Sequence, residues 1–247
     1  MERITVLGSS NAVAKSDQQN AHLLIETDFR KLMVDCGDHA TASLARAGVG
    51  INQITDLVLT HFHADHVGSL PLLIMDMWLE KRSAPLRIYG LAVTLEKARK
   101  LLELFDWQNW KGMFQVDFQM VGESGDEKVI AGEDLVLTAL PVLHLIPTIG
   151  LRFQFSSGKV VSYSCDTEPC QAVDMLAARA DIHVQEAAGQ TKGHTSARQA
   201  GETAARCGVK ELVLIHYEAR DGVENLLSDA RLSFDGRVRV AVDGMVL

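Results

Sequence analysis

Histidine and aspartate side chains crowd into one short segment of the sequence. In residues 56–68, DLVLTHFHADHVG, an apolar run is followed at once by His61, His63, Asp65 and His66. In an extended segment every second side chain points the same way, so this alternation can direct several ligands to one place. Imidazoles brought together in a buried place are stabilised by a divalent cation that binds their neutral form. The spacing therefore predicts a metal site directly after a buried strand.

This segment resembles the HxHxDH motif of the metallo-β-lactamase-fold hydrolases. The opening ITVLGSS and the closing VAVDGMVL are also similar to that family, so the resemblance spans nearly the whole chain. It implies that the later metal ligands, each after an apolar strand, are His144 in PVLHLIP, Asp166 in YSCDT and His216 in LVLIHY. The fold that it implies is of the α/β (α+β) class, a four-layer αββα sandwich with two mixed sheets.

The same resemblance implies two divalent metal ions. It assigns His61, His63 and His144 to one ion, Asp65, His66 and His216 to the other, and Asp166 to both. Asp65 is also implied to be catalytic. Nitrogen and oxygen ligands of this kind suit zinc, and manganese or iron are alternatives. A hydroxide shared by two ions about 3.5 to 4 Å apart would be the nucleophile.

A second segment, residues 186–205 (EAAGQTKGHTSARQAGETAA), resembles the ribonuclease Z and phosphodiesterase branch of this family. In that branch a histidine before small hydroxylated residues opens a helix, and here that histidine is His194. Thr195 or Ser196 would cap the helix. The resemblance implies that His194 is catalytic and assists the leaving group as an acid or by stabilising charge.

Two departures from that branch are visible. Bacterial ribonuclease Z proteins carry a long arm that grips transfer RNA between the third histidine and the bridging aspartate, but here only 22 positions separate His144 from Asp166. We therefore expect no arm. The family's usual glycine before the bridging aspartate is Cys165 here, so we expect an ordinary backbone dihedral at that position and a thiol that serves packing.

The elements that must position these residues are short apolar strands and amphipathic helices. Strands are predicted at 4–7, 22–26, 31–35, 56–60, 86–89, 135–142, 151–155, 159–163, 211–215 and 238–242. Helices are predicted at 66–80, 91–105, 169–180 and 196–207. Consecutive strands near both ends favour hairpins and mixed sheets. No linker divides the chain, so one domain is predicted over residues 1–247. Residues 106–126 are the best candidate for a loop or an interdomain crossing, and their apolar content predicts that they pack.

The composition of the chain bears on its binding partners and on its cell compartment. The 247 residues are 47% hydrophobic and 23% charged and carry a net charge of −8, which disfavours holding nucleic acid by bulk electrostatics. No segment predicts a signal peptide or a membrane helix. The four cysteines match neither a zinc ribbon nor a disulfide framework, and we expect a cytoplasmic protein.

The function predicted from these features is that of a dinuclear metal-dependent hydrolase, a phosphodiesterase that acts through a metal-bridging hydroxide. A small phosphodiester is the preferred substrate over RNA, and a homodimer could supply further binding surface. Three alternatives stay open: a transfer-RNA 3′-processing endonuclease of the ribonuclease Z type, a thioester or lactone hydrolase of the same fold, and a non-catalytic binding module.

Overall fold

The computed structural model describes residues 2–123, 128–218 and 222–247. These residues fold into two compact units. The first unit takes the described residues up to 8, residues 12–121 and residues 243–247, and the second takes residues 9–11 and the described part of 122–242. The single domain over residues 1–247 stays a prediction.

The first unit is built on a six-stranded mixed sheet with strands in sequence order. The strands are β1 (Arg3–Gly8), β2 (His22–Glu26), β3 (Lys31–Val34), β4 (Asp56–Val58), β5 (Leu86–Leu91) and β6 (Val116–Val121). β1 to β3 are antiparallel, and β3 to β6 are parallel. β2 is buried along its whole length, and its apolar centre, Leu23 to Ile25, belongs to the core.

Four α-helices lie in the described part of this unit: α1 (Ala40–Arg46), α2 (Ala64–Val67), α3 (Leu70–Leu79) and α4 (Ala92–Glu103). Two short 3-10 helices, Ile51–Gln53 and Trp107–Asn109, are also present. The single helix predicted at 66–80 is therefore wrong, since α2 and α3 are separate helices. Pro71 lies in the first turn of α3, where its missing N–H costs nothing, and this position marks a new helix start. Consequently His66 belongs to the short α2 and is positioned independently of α3.

The stretch at 106–126 differs from the predicted loop. Residues 116–121 form β6, which pairs with β5 at the edge of the sheet. Its half-exposed sequence VDFQMV has no continuous apolar run and so resembled a packed loop. Residues 124–126 of that prediction lie outside the described residues.

The second unit holds a seven-stranded mixed sheet, again in sequence order. Its strands are β7 (Lys128–Ala131), β8 (Leu135–Val142), β9 (Thr148–Phe155), β10 (Val160–Tyr163), β11 (Ile182–Ala187), β12 (Glu211–Tyr217) and β13 (Arg237–Val240). β7 to β10 are antiparallel, and β10 to β13 are parallel. The predicted mixed character of both sheets is confirmed. In the fully described stretch between His144 and Asp166, β9, β10 and a short turn use nearly all residues, so an arm is absent there, as predicted.

Among the described residues of this unit, three α-helices accompany the sheet: α5 (Gln171–Ala177), α6 (Ala197–Cys207) and α7 (Val223–Arg231). Ser196 caps α6, because its Oγ accepts from the backbone N of Gln199 at 3.3 Å and its own N donates to Gln199 Oε1 at 2.9 Å. Gly208 ends the helix with a φ of 65°. None of the helices among the described residues has the length and apolar content needed to cross a membrane.

Each unit is completed by residues from a distant part of the chain. In the first unit, Val6 donates its N–H to Met245 O and accepts from Gly244 N, both at 2.8 Å. In the second unit, Ser10 bridges to Tyr217, and Ser9 O accepts from His216 N at 2.9 Å. The two segments at 9–11 and 243–247 therefore take part in the sheet architecture.

The interior of the second unit also holds a neutral histidine. His183 in β11 is fully buried, its Nδ1 accepts from Ser162 Oγ, and its Nε2 donates to Gln185 Oε1, both at 2.8 Å. Burial lowers the pKa of His183 to about 4. The neutral ring satisfies both partners, and burial away from water disfavours its charged form.

His183 makes stability depend on pH. In the unfolded chain its pKa is about 6.5, so its contribution is complete above that pH and is lost as the pH falls toward 4. Between pH 7.5 and pH 5 the loss is about 2 kcal/mol in the free energy of unfolding. Urea unfolding of the wild type and of His183→Asn at both pH values measures it. The variant should lose less stability over this interval, and equal losses would contradict the assignment.

Candidate metal centre

The first unit brings four of the candidate ligands together just after β4. His61 and His63 lie in the extended segment after the strand, and Asp65 and His66 lie in α2. His61 Nε2 is 3.1 Å from His63 Nδ1, and Asp65 Oδ2 is 3.5 Å from His66 Nε2. The rings of His61 and His66 have their centroids 4.0 Å apart. The four side chains thus form one cluster within this unit.

A buried carboxylate that sequence reasoning missed holds this cluster in place. Asp35 follows β3, is fully buried and has a φ of 61°. Its Oδ1 accepts from Thr60 N at 2.8 Å, and its Oδ2 accepts from Thr60 Oγ1 at 2.7 Å and from His66 Nδ1 at 2.8 Å. These bonds fix the tautomer of His66 with Nε2 as the ligand atom.

The same network sets the orientation of His61. Thr60 Oγ1 donates its proton to Asp35, so at 3.1 Å from His61 Nδ1 it acts as the acceptor. His61 therefore carries its proton on Nδ1, and its Nε2 has a lone pair available for a metal ion. One aspartate thus orders two histidines, one of them through a threonine hydroxyl.

Two glycines allow the backbone to close around this network. A Cβ at Gly37 would lie 1.5 Å from Asp65 O, and a Cβ at Gly68 would lie 2.9 Å from Gly37 O. Cys36 N donates to His66 O at 2.7 Å across this contact. The turn after β3 and helix α2 therefore touch through their main chains.

The second unit groups the remaining candidate ligands at three strand ends. His144 follows β8, Asp166 follows β10, and His216 lies near the end of β12. Asp166 Oδ2 is 3.9 Å from His144 Nε2 and 3.4 Å from His216 Nε2, so one carboxylate oxygen faces both imidazoles. His144 Nδ1 donates to Gly193 O at 2.7 Å, which leaves its Nε2 as the ligand atom.

The backbone at two of these strand ends is in the left-handed region. His216 has a φ of 52° and Cys165 a φ of 53°. The expectation of an ordinary dihedral at Cys165 is therefore wrong: the turn before Asp166 keeps the conformation that favours glycine although a side chain occupies it. Cys165 is fully buried, as expected for a thiol that serves packing.

His194 lies beside this group and is held by a carboxylate, Glu186, at the end of β11. His194 Nδ1 donates to Glu186 Oε1 at 2.9 Å, and its ring stacks on His216 with centroids 5.8 Å apart. Glu186 also accepts from Thr167 N at 3.0 Å and from Ala188 N at 2.9 Å. Burial raises the pKa of Glu186, and the hydrogen bond from His194 opposes that shift. Sequence reasoning missed Glu186, although it opens the segment that identified His194.

The nitrogen and oxygen atoms of the candidate ligands suit divalent metal ions. Two ligand atoms on one tetrahedral zinc ion with bonds of about 2.0 to 2.1 Å stand about 3.3 Å apart. The pairs His61–His63, Asp65–His66 and Asp166–His216 are separated by 3.1, 3.5 and 3.4 Å. Imidazole nitrogens whose second nitrogen is held by an acceptor, together with carboxylates, are typical ligands of zinc and similar ions. The assignment of seven ligands to two ions stays a prediction.

Replacing Asp35 should weaken metal binding. In Asp35→Asn one side-chain oxygen becomes an amide that cannot accept from Thr60 and His66 together, so His66 loses its fixed tautomer. We expect a 10- to 100-fold loss in metal affinity, measured by competition with a chromogenic chelator. Asp56→Asn, which changes another buried aspartate of this unit, is the matched control. Equal affinities in Asp35→Asn and wild type would contradict the role of Asp35.

Comparison with known proteins identifies a matching family and similar sequences. A family model described as anti-Pycsar protein Apyc1 matches residues 2–234 of this chain. Ribonuclease Z of Methanosarcina acetivorans is 28% identical, over 100% of this chain and 98% of its own length. Ribonuclease Z of Mycolicibacterium gilvum is 30% identical, over 88% of this chain and 84% of its own length.

The fold of this chain is similar to that of a solved structure. The metallo-β-lactamase fold protein YhfI from Bacillus subtilis is similar with a TM-score of 0.85 at 22% identity, over 100% of this chain and 98% of that one. The predicted fold class, an α/β sandwich with two mixed sheets and flanking helices, is confirmed.

Proposed function

The chain belongs to the family of anti-Pycsar protein Apyc1, in the ribonuclease Z and phosphodiesterase branch of the metallo-β-lactamase-fold hydrolases, and from this premise we propose that it is a dinuclear metal-dependent phosphodiesterase. Family membership makes the chain a metal-dependent hydrolase. The observation that carries the finer proposal is the pair Glu186 and His194 beside the candidate ligands of the second unit, since it adds a proton donor to a metal site.

Seven residues would hold the ions, in the assignment that the family resemblance implies. They are His61, His63 and His144 for one ion, Asp65, His66 and His216 for the other, and Asp166 for both. Divalent ions held there would supply Lewis-acid polarisation of a phosphodiester and a water of lowered pKa as the nucleophile. Zinc is the preferred identity, with manganese and iron as alternatives. The grouping of these side chains inside each unit supports the assignment.

His194 would act on the departing oxygen. Its Nδ1 hydrogen is held by Glu186, so Nε2 is the atom that can present a proton or a positive charge to a leaving group. The carboxylate of Glu186 is anchored by two backbone N–H groups and stabilises positive charge on the ring. His194 keeps about a fifth of its side chain exposed, which leaves it open to a substrate.

A small phosphodiester is the substrate that we favour over RNA. The stretch between His144 and Asp166 has no arm, and the net charge of −8 offers little general attraction to a polynucleotide. Precursor transfer RNA is the second candidate, because the similar proteins from Methanosarcina acetivorans and Mycolicibacterium gilvum are named ribonuclease Z. Small cyclic phosphodiesters, including cyclic nucleotides and cyclic sugar phosphates, are the substrates to test first.

We also propose a cell compartment and an oligomeric state for the enzyme. We infer that the protein works in the cytoplasm, because all four of its cysteines are free thiols and two of them are buried. A homodimer is proposed as the form that could supply further surface to the substrate, and sedimentation measurements test it.

A substrate panel tests the proposed activity. Metal-loaded protein should hydrolyse cyclic nucleotides or a cyclic ribose phosphate faster than it cleaves precursor transfer RNA, a thioester or a lactone. Asp166→Ala should lose turnover together with metal content measured by plasma mass spectrometry. Asp174→Ala, a surface aspartate on α5 paired with Arg206, should retain both. Faster cleavage of the RNA, thioester or lactone would overturn the substrate proposal, and a fully active Asp166→Ala would overturn the metal assignment.

His194→Ala separates leaving-group chemistry from metal binding. The variant should keep its metal ions and lose about 10²- to 10⁴-fold in kcat on alkyl phosphodiesters, whose poor leaving group needs a proton. On a p-nitrophenyl diester, whose leaving group is already a good one, kcat should fall much less. Steady-state kinetics on the two substrates provides the test, and equal losses on both would show that His194 does not act on the departing oxygen.

A further inference from the structure

The first unit contains a cavity that involves none of the candidate metal ligands. Its volume is about 520 Å³, which lies in the range of small-molecule sites. Its lining comes from β1, from the end of α1, and from two segments at 16–19 and 243–246. All of these belong to the first unit. The cavity can therefore hold a molecule that is not the substrate of the metal centre.

Thr5 brings an unpaired polar atom to this cavity. The residue is 4% exposed, and its Oγ1 has no hydrogen-bond partner among the described residues. Thr5 pairs with Leu24, which belongs to the same core cluster as Leu44 of α1, so its side chain lies on the α1 side of the sheet. Gln19 Oε1, from another wall, is also buried without a partner in the described ranges. A buried oxygen of this kind is costly, and a bound hydrogen-bond donor would remove the cost.

Cationic groups reach the cavity from β1 and from the end of α1. Arg3 forms an ion pair with Glu26, which offsets its charge. Arg46 is exposed and has no acidic partner in the part of the chain that the structure describes. Its Nη2 donates to Ser43 Oγ at 2.8 Å, and Ser43 also lines the cavity. The other N–H groups of Arg46 can therefore bind a carboxylate.

Carboxylates reach the cavity from the two other segments. Asp243 Oδ2 accepts from Gln19 N at 2.8 Å, which joins these segments beside the cavity. Asp17 is exposed in the turn that Lys15 N closes by donating to Gln18 O at 2.8 Å. The lining thus offers positive and negative charge from different segments. A ligand that carries both signs complements it, whereas a simple anion would meet the two aspartates as like charges.

From this lining we propose that the cavity is a second binding site, and that its ligand is a small zwitterion of the amino acid or dipeptide class. The carboxylate of the ligand binds Arg46. Its ammonium group binds the carboxylates of Asp17 and Asp243, and its N–H groups also supply donors for Thr5 Oγ1 and Gln19 Oε1. The inference goes beyond the proposed function and does not depend on it.

Calorimetric titration of the metal-loaded protein tests the class of ligand. The probes are L-glutamine, L-lysine and glycylglycine, and at least one should bind at one site per chain. The carboxamide and the N-acetyl derivative of the tightest probe each lack one of the two charges. Both should bind about tenfold more weakly than the probe itself. Absence of binding by all three probes, or equal affinity for the derivatives, overturns the inference.

Variants of the lining test the location of the site. Arg46→Gln and Asp17→Asn should each weaken binding of the tightest probe about tenfold, with metal content unchanged by plasma mass spectrometry. Arg231→Gln, which changes an exposed arginine in the last turn of α7, should keep the wild-type affinity. Amino acids also bind metal ions, so wild-type affinity in Arg46→Gln would place the probe at the metal centre and overturn the inference. Because no turnover is needed, an inactive wild type would contradict the proposed function alone.

Discussion

In each unit a buried carboxylate that accepts three hydrogen bonds holds one histidine directly. In the first unit Asp35 accepts from two groups of Thr60 and from His66, and in the second Glu186 accepts from Thr167, Ala188 and His194. Burying such a charge is costly unless its hydrogen bonds are complete. Each carboxylate accepts two hydrogen bonds from backbone N–H or hydroxyl groups. It accepts a third from one imidazole. Neither is a predicted metal ligand, yet the orientation of the histidine beside it depends on it.

The turns that present these groups share a backbone constraint. Asp35, Cys165 and His216 all adopt positive φ values between 52° and 61°, and each lies at or just after the end of a strand. Such conformations cost about 1 to 3 kcal/mol for residues with a side chain and persist where the surroundings hold them. The parallel strands provide that support, because their buried, fully paired backbones leave the following residue little freedom.

Some residues of the site could be predicted from the sequence, and others could be found only in the structure. The close spacing of His61, His63, Asp65 and His66 is local, so it is visible without a structure. His144, Asp166 and His216 depended on a family resemblance, since nothing in their own neighbourhood requires a metal. Asp35 and Glu186 were missed because their role exists only through contacts with residues that are distant in sequence, 31 positions away for Asp35 and His66. The break between α2 and α3 and the edge strand β6 escaped the prediction because short elements carry weak periodicity.

The exchange of short segments between the units has a consequence for how the protein forms during synthesis. The first unit needs residues 243–247 beside β1, so the edge of its sheet stays open until these residues, far later in the sequence, have been made. The second unit needs residues 9–11, which are made long before their partners His216 and Tyr217. Neither unit can therefore finish folding in the simple N-terminal-first order of independent domains. A chain without residues 243–247 would expose an unpaired backbone edge at β1.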